Sequence, residues 1–296
     1  MTRQDNKLLH WGLFILISII WGSSFILMKK GMYAANGQPT LSAFHVAALR
    51  VLSGGLVLLP IAIRKFRLIP ASKRWLVVLS GLLGAFIPAF LFCLAETKID
   101  SSLAGFLNAL TPVFTIVIGV AFFQSKIIKR KIFGVAIAFS GMLLLFLAND
   151  DLNLQYLSYA GLILVATISY ACNVNLVGKY LKDIGSVNIA AISFGALAIP
   201  SLIILLITGY FDLPLTQSDY VYSTLSSVVL GVFGTAVASI LFYVLLKKAG
   251  TIFASMVTYG IPFIALGWGI LDGETINALQ VVGLTIILGG VYLANK

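Results

Sequence analysis

From Trp11 to Met28 the chain runs eighteen residues without a charge, and runs of this kind recur to its last residues with only short polar gaps between them. A helix needs about 20 such residues to cross a hydrocarbon core roughly 30 Å thick. Hydrocarbon offers no water to an exposed amide, so only helices or a closed barrel can span it, and these runs lack the period-two alternation of barrel strands. The expected fold is therefore all-α and integral to the membrane, with the lipid bilayer as its partner and solvent. Composition agrees, because 60% hydrophobic residues and 10% charged ones with a mean hydropathy of +1.04 lie outside globular usage.

Ten transmembrane helices are expected, at 9–30, 42–63, 75–96, 101–123, 131–148, 157–179, 187–208, 223–246, 251–271 and 276–294. The first imitates a secretory signal in its charges, Arg3 and Lys7, but its apolar core is too long and Lys29-Lys30 stand where a small-residue cleavage site belongs. The net charge of +10 does not imply a nucleic-acid partner, since Lys and Arg sit in the gaps rather than on one face. Counted by alternate gaps, sixteen fall on one side (Arg3, Lys7; Arg64, Lys65, Arg67, Lys73, Arg74; Lys126, Lys129, Arg130, Lys131; Lys179, Lys182; Lys247, Lys248; Lys296) and three on the other (Lys29, Lys30, Lys98). Positive charge is retained in the cytoplasm. Both termini are thus expected inside the cell (inner) membrane, which requires an even number of spans.

The chain also resembles itself. An offset of 150 places Leu91-Phe92 on Leu241-Phe242, Ala104 on Ala254, Pro112 on Pro262 and Gly119 on Gly269. An offset of 149 places Ser18 on Thr167, Trp21 on Tyr170, Lys30 on Lys179, Gly134 on Gly283 and Gly141 on Gly290. Two repeats follow, 1–148 with helices 1–5 and 149–296 with helices 6–10. Five is odd, so the second copy must cross in the opposite sense. Inverted repeats suit secondary transporters, because exchanging the conformations of two equivalent halves turns an inward-open state into an outward-open one.

These residues resemble the EamA-type family of the drug/metabolite transporter superfamily over essentially the whole chain. The resemblance rests on Trp21-Gly22-Ser23-Ser24-Phe25 followed by Lys29, Arg50 before a Leu-rich run ending at Pro60, and the stretch Ala104 to Phe114 around Asn108-Ala109-Leu110-Thr111-Pro112. Ala254 to Pro262, and Gly273-Glu274 with Gln280 and Gly283, look like the second-half signatures. The first half departs at Gln124, where an acid matching Glu274 is expected. The resemblance implies an exporter of small metabolites, in several relatives amino acids or related zwitterions, working by alternating access.

Candidate functional residues follow from polarity at depth. Arg50 lies eight residues into helix 2. An arginine at the bilayer centre costs roughly 2.5–3.5 kcal/mol, while apolar residues of the same helix contribute about 0.3–0.6 each, so the helix inserts. Arg50 is either the partner of a substrate carboxylate or mobile acid, or a clamp on carbonyls or a buried acid. Trp21 and Ser24, Asn108 and Thr111, Tyr170 and Asn173, and Thr258 and Tyr259 stand near the centres of helices 1, 4, 6 and 9, where the repeats meet and substrate is expected; the Ser and Thr hydroxyls read equally as backbone-bonded packing. Pro112 and Pro262 remove amide donors in helices 4 and 9 and are expected as hinges. For proton or ion coupling the candidates are His45, otherwise a hydrogen-bonded residue near the outer end of helix 2, and Glu96, whose neighbours Lys98 and Asp100 suggest contact with water. Glu274 is expected to cap the last helix. Cys93 and Cys172 read as packing residues, and Gly54-Gly55, Gly81 with Gly84, Gly231 with Gly234, and Gly289-Gly290 as close-approach points.

No cofactor is called for, and no Walker-type loop exists to hold a nucleotide. The readings left are a secondary exporter of a small-molecule substrate, a flippase of lipid-linked substrates, and a membrane-embedded enzyme. The last lacks a Ser-His pair, an HExxH helix or paired carboxylates at depth. The sequence leaves the oligomeric state open.

Overall fold

A computed structural model describes residues 3–124, 129–147 and 154–295. The repeat boundary at 148/149, Lys126, Asp150-Asp151 and Lys296 lie outside these residues. The described chain is helical throughout, with an isolated bridge between Tyr33 and Pro39 as its only β pairing. Eight of its helical stretches are long and apolar enough to cross a membrane, so the protein is a multi-pass membrane protein.

Helices α1 (Arg3–Met32) and α2 (Ala43–Lys65) are continuous. The third span is α3 (Ala71–Gly81), a π turn at Leu82–Phe86 and α4 (Ile87–Ala95). The fourth breaks at Ala109-Leu110 into α5 (Ser101–Asn108) and α6 (Thr111–Phe123). Helices α7 (Lys129–Leu147), α8 (Leu154–Tyr180) and α9 (Ser186–Ile207) follow. Next come α10 (Ser218–Val229), a π segment at Leu230–Val237 and α11 (Ala238–Ser255), then α12 (Val257–Leu271) and α13 (Ala278–Asn295). The gap expected between spans 8 and 9 shrinks to a single non-helical residue inside α11, Gly250, whose φ of 86° no side chain adopts easily.

Small residues set which helices touch. A methyl group on Gly55 of α2 would lie 2.5 Å from the Phe194 carbonyl of α9, and one on Gly290 of α13 would lie 2.4 Å from the Ala138 amide of α7. Those two pairs pack most extensively, and α1 on α12 and α8 on α6 are the next. Most of the glycines expected as packing points behave this way; Gly289 does not, having open space beside it.

Polar contacts gather the connections into two groups at opposite ends of the bundle. At one end Lys73 pairs with Asp183 at 2.6 Å. At the other, the end of α1 meets the turns before α5 and after α12: Lys29 bridges Asp272 (2.7 Å) and Glu274 (3.4 Å), and Lys30 bridges Asp272 (2.5 Å).

Candidate functional site

Between the two apolar clusters of the bundle lies a cavity, partly open to solvent, with about 840 Å³ of space not filled by atoms. The irregular backbone of the spans is concentrated around it. A π turn shifts the bonding register and widens the helix. In the third span the π turn carries Gly84, and a methyl there would sit 2.2 Å from the Asn173 amide nitrogen; in the eighth it carries Gly234, and a methyl there would sit 2.9 Å from Ser24 Oγ. Each glycine thus clears room for a polar side chain facing the cavity. Trp21 uses the same irregularity, donating its indole Nε1–H to the Gly234 carbonyl at 2.9 Å.

All but one of the residues expected to bind substrate line this cavity: Trp21, Ser24, Arg50, Asn108, Thr111, Tyr170, Asn173 and Thr258. Tyr259 is the exception. It packs half-buried against the apolar core, because the break at Met256 turns Thr258 toward the cavity and its neighbour away.

Arg50 is 7% exposed. Its Nε donates to Thr235 Oγ1 at 2.8 Å and Nη1 approaches the Met28 sulfur at 3.7 Å; among the described residues it meets no carboxylate. Of the two structural roles open to it, a clamp on a buried acid is therefore not what is seen. It is the only charged residue among the described lining residues, so the cavity carries one uncompensated positive charge.

Asn173 and Tyr243 of the cavity wall belong to a polar triangle that sequence reasoning missed in part. Ser80 Oγ donates to Asn173 Oδ1 at 2.7 Å, Asn173 Nδ2 donates to the Tyr243 hydroxyl at 3.3 Å, and that hydroxyl lies 3.2 Å from Ser80 Oγ. Ser80 and Tyr243 sit within apolar runs, and only the pairing of the third, sixth and eighth spans joins them. The walls are aromatic: Phe92 stacks on Tyr170 with centroids 6.0 Å apart, and Trp21 meets Phe242 at 5.1 Å.

The breaks in the fourth and ninth spans correct the hinge expectation. Thr111 Oγ1 donates to the Asn108 carbonyl at 2.7 Å, and Thr258 Oγ1 donates to the Ser255 carbonyl at 2.8 Å. The equivalent positions are these two threonines, at an offset of 147 rather than 150. Pro112 consequently falls in the first turn of α6, where a missing amide costs nothing, while Pro262 lies inside α12. They are not matched mid-helix prolines.

At the helix ends His45 takes the hydrogen-bonded place, one of its two readings, and the expectations for Glu274 and Glu96 change. His45 belongs to the start of α2: its amide donates to Ser42 Oγ (3.2 Å), its Nδ1 accepts from the Ser42 amide (3.4 Å) and its Nε2 lies 3.1 Å from the Thr208 carbonyl. Nδ1 thus closes the capping box of α2, while Nε2 joins α2 to the end of α9. Glu274 caps α5 rather than the last helix, accepting from the Ser101 amide at 3.0 Å and the Ser102 amide at 3.1 Å, because the positive φ of Gly273 folds it back. Glu96 is not at water. It is 6% exposed, with Oε2 accepting from Ser101 Oγ at 3.1 Å and Oε1 buried without a partner. Burial would raise the Asp272 carboxyl, but hydrogen bonds from Lys29 and Lys30 hold it below the usual range. Among the described residues no three His, Cys, Asp or Glu side chains are grouped to hold a metal.

Comparison with known proteins adds a second line of argument. The model of the EamA-like transporter family matches residues 10–147 and again 157–296. The chain is 26% identical, over 99% of its length and 95% of theirs, to proteins of Salmonella typhimurium and Escherichia coli each named probable amino-acid metabolite efflux pump. It is 24% identical to the probable terminal-alkyne amino-acid exporter of Streptantibioticus cattleyicolor, over 97% of this chain and 93% of that one. A solved crystal structure superposes with a TM-score of 0.64 over 99% of this chain and 98% of its own at 15% identity, a likeness of fold.

Proposed function

The chain belongs to the EamA-like transporter family, and on that premise we propose that it is a secondary exporter moving a small carboxylate-bearing metabolite, of the amino-acid kind, across the cell membrane by alternating access. The observation that carries this reading is the single cation of the cavity, Arg50, held by a hydroxyl and a thioether and facing aromatic walls. A guanidinium in such surroundings is suited to a carboxylate, which it meets with paired N–H donors. The aromatic rings suit the apolar remainder of the ligand. The names of the relatives point to amino acids as well.

The architecture proposed with it is ten spans in two inverted repeats, 1–148 and 149–296, with both termini cytoplasmic. Its support is contacts made twice. Gly84 faces Asn173 as Gly234 faces Ser24, and Phe92 meets Tyr170 as Phe242 meets Trp21. The π segments fall in the third and eighth spans and the breaks in the fourth and ninth. In this orientation the ion-paired Lys29 end is the outer one.

The test is counterflow of labelled phenylalanine in reconstituted vesicles with two competitors, phenethylamine and 3-phenylpropionate. A hydrogen bond to a charged group is worth about 1.5–3 kcal/mol, so the amine should compete roughly tenfold to hundredfold less well than phenylalanine, and the acid nearly as well. Equal competition by the amine overturns the carboxylate reading.

A further inference from the structure

We propose that Glu96 is a proton-binding site that ties closure of the outer end of the molecule to the uptake of one proton. The proposal rests on the transporter reading above and concerns the ion cluster rather than the substrate cavity.

Glu96 is the residue at which α4 ends, wedged between the cavity wall and the paired charges of the Lys29 end. Its neighbours leave an ionised carboxylate unserved. Lys29 is engaged with Asp272 and Glu274, Lys30 with Asp272, and the amides of Ser101 and Ser102 at the head of α5 are both taken by Glu274. What remains for Glu96 is one hydroxyl, Ser101 Oγ, and an enclosed Oε1 with no donor. A proton on Oε2 reverses that hydrogen bond, Oε2–H donating to Ser101 Oγ, and leaves Oε1 as a neutral carbonyl oxygen, far less costly to bury unpaired than half of a carboxylate.

The charged and titratable groups around it come from every neighbouring element: Lys29 from α1, Arg50 from α2, Cys93 from its own helix, Asp100 and the exposed Lys98 from its own turn, and Glu274 from the turn after α12. Burial pushes the Glu96 carboxyl well above the usual range and the charge of Glu274 adds to the rise, while the Ser101 hydrogen bond, Arg50 and Lys29 oppose it.

Opening the outer end separates α1, α5 and α12 and admits water to Glu96, which then ionises as an ordinary glutamate. Closing therefore takes up a proton. The sign follows from the raised affinity in the closed state: the preference for closure is complete below the ordinary glutamate range and is lost as pH rises through the higher range of the closed state. In an exporter, closing the outer end is the return step after release, so acid outside speeds it.

Two measurements test this. Infrared spectra of purified protein at neutral pH should show a protonated carboxyl C=O band that Glu96→Gln removes; a band unchanged in the variant, or absent from both, overturns the site. In reconstituted vesicles, phenylalanine flux should rise with acidification of the outer side by up to about tenfold per pH unit. Glu96→Gln should flatten that dependence while keeping exchange at symmetric pH, and Glu96→Asp should retain it. A full pH slope in Glu96→Gln overturns the proposal. No flux of any probe in any protein sinks the transporter reading instead, and the infrared band then decides the proton site by itself.

Discussion

Arg50 has partners too weak to neutralise it, a threonine hydroxyl and a methionine sulfur, and that makes it the residue whose replacement is most informative. Arg50→Ala removes the charge from a cavity that α2 does not depend on for insertion, since an arginine at depth opposes insertion by roughly 2.5–3.5 kcal/mol. The variant should reach the membrane in normal amount and lose roughly tenfold to hundredfold in phenylalanine KM, with Arg50→Lys between the two because an ammonium cannot offer paired donors. Loss of the folded protein in place of the KM effect, judged by size-exclusion profile, would assign Arg50 to structure. Residues of this kind were legible from sequence, because polarity at mid-span has few explanations: Trp21, Asn108, Tyr170 and Asn173 reach the cavity as well. Glu96 was misread because its burial is created by Ser101 and by Glu274 from the far end of the chain. Ser80 and Tyr243 passed unnoticed since a lone hydroxyl in an apolar run usually bonds its own backbone, and their partner lies one or two spans away.

Among the elements, each of the interrupted spans, the third, fourth, eighth and ninth, contributes to the cavity wall, and the interruptions differ in kind. At Ala109-Leu110 and at Met256 the amides fall back to i−3 bonds, Leu110 on Leu107 and Met256 on Phe253, while a threonine hydroxyl covers the carbonyl left behind. In the fourth span that carbonyl, of Asn108, is also the one Pro112 cannot bond, so proline and threonine act on one site. In the ninth span Pro262 cannot bond the Thr258 carbonyl, three residues beyond the Ser255 carbonyl at the break, so proline and threonine act on separate sites. Pro112→Ala should therefore change turnover little, whereas Pro262→Ala restores an internal bond and should slow turnover several-fold with substrate affinity kept. Stopped-flow measurement of flux against equilibrium binding separates the two effects, and equal turnover in both variants would remove Pro262 as a hinge. Sequence offset alone paired the prolines because it has no means of seeing that the break, the feature the repeats share, sits three residues out of register with them. The glycines were legible, since a residue without Cβ in a packed span has close approach as its ordinary use, but the π turns at Leu82–Phe86 and Leu230–Val237 leave no pattern in composition.

At the scale of the molecule, polar contacts between connections obey a parity that a bundle of ten crossings would impose. Lys29 and Lys30, after the first span, reach Asp272 and Glu274 after the ninth, and Ser101 joins them from the turn after the third. Thr40 before α2 meets Ser223 of α10 at 2.6 Å, and His45 meets Thr208 at the end of α9. Lys73, after the second span, pairs with Asp183 after the sixth, and Lys179 donates to the Phe123 carbonyl at the end of α6. Odd connections meet odd and even meet even, as they do when successive spans alternate in direction and the second half begins from the opposite face. In the proposed orientation, which rests on the lysine asymmetry, the even connections are cytoplasmic. The two halves then differ in how their ends close: the Lys29 end is pinned by five carboxylate-dependent contacts around Lys29, Lys30 and Glu274, whereas Lys179, the counterpart of Lys30, leans on the rings of Phe123 and Tyr180, with Gln124 where an acid would mirror Glu274. Arg67 and Thr216 are exposed in the connections after the second and seventh spans, equivalent places in the two repeats. On a background with Cys93 and Cys172 replaced by serine, Thr216→Cys should react with a membrane-impermeant maleimide on intact cells and Arg67→Cys only after permeabilisation. Reaction of both from the same side would mean parallel halves, and with them a carrier could not exchange its two ends by exchanging the conformations of its repeats.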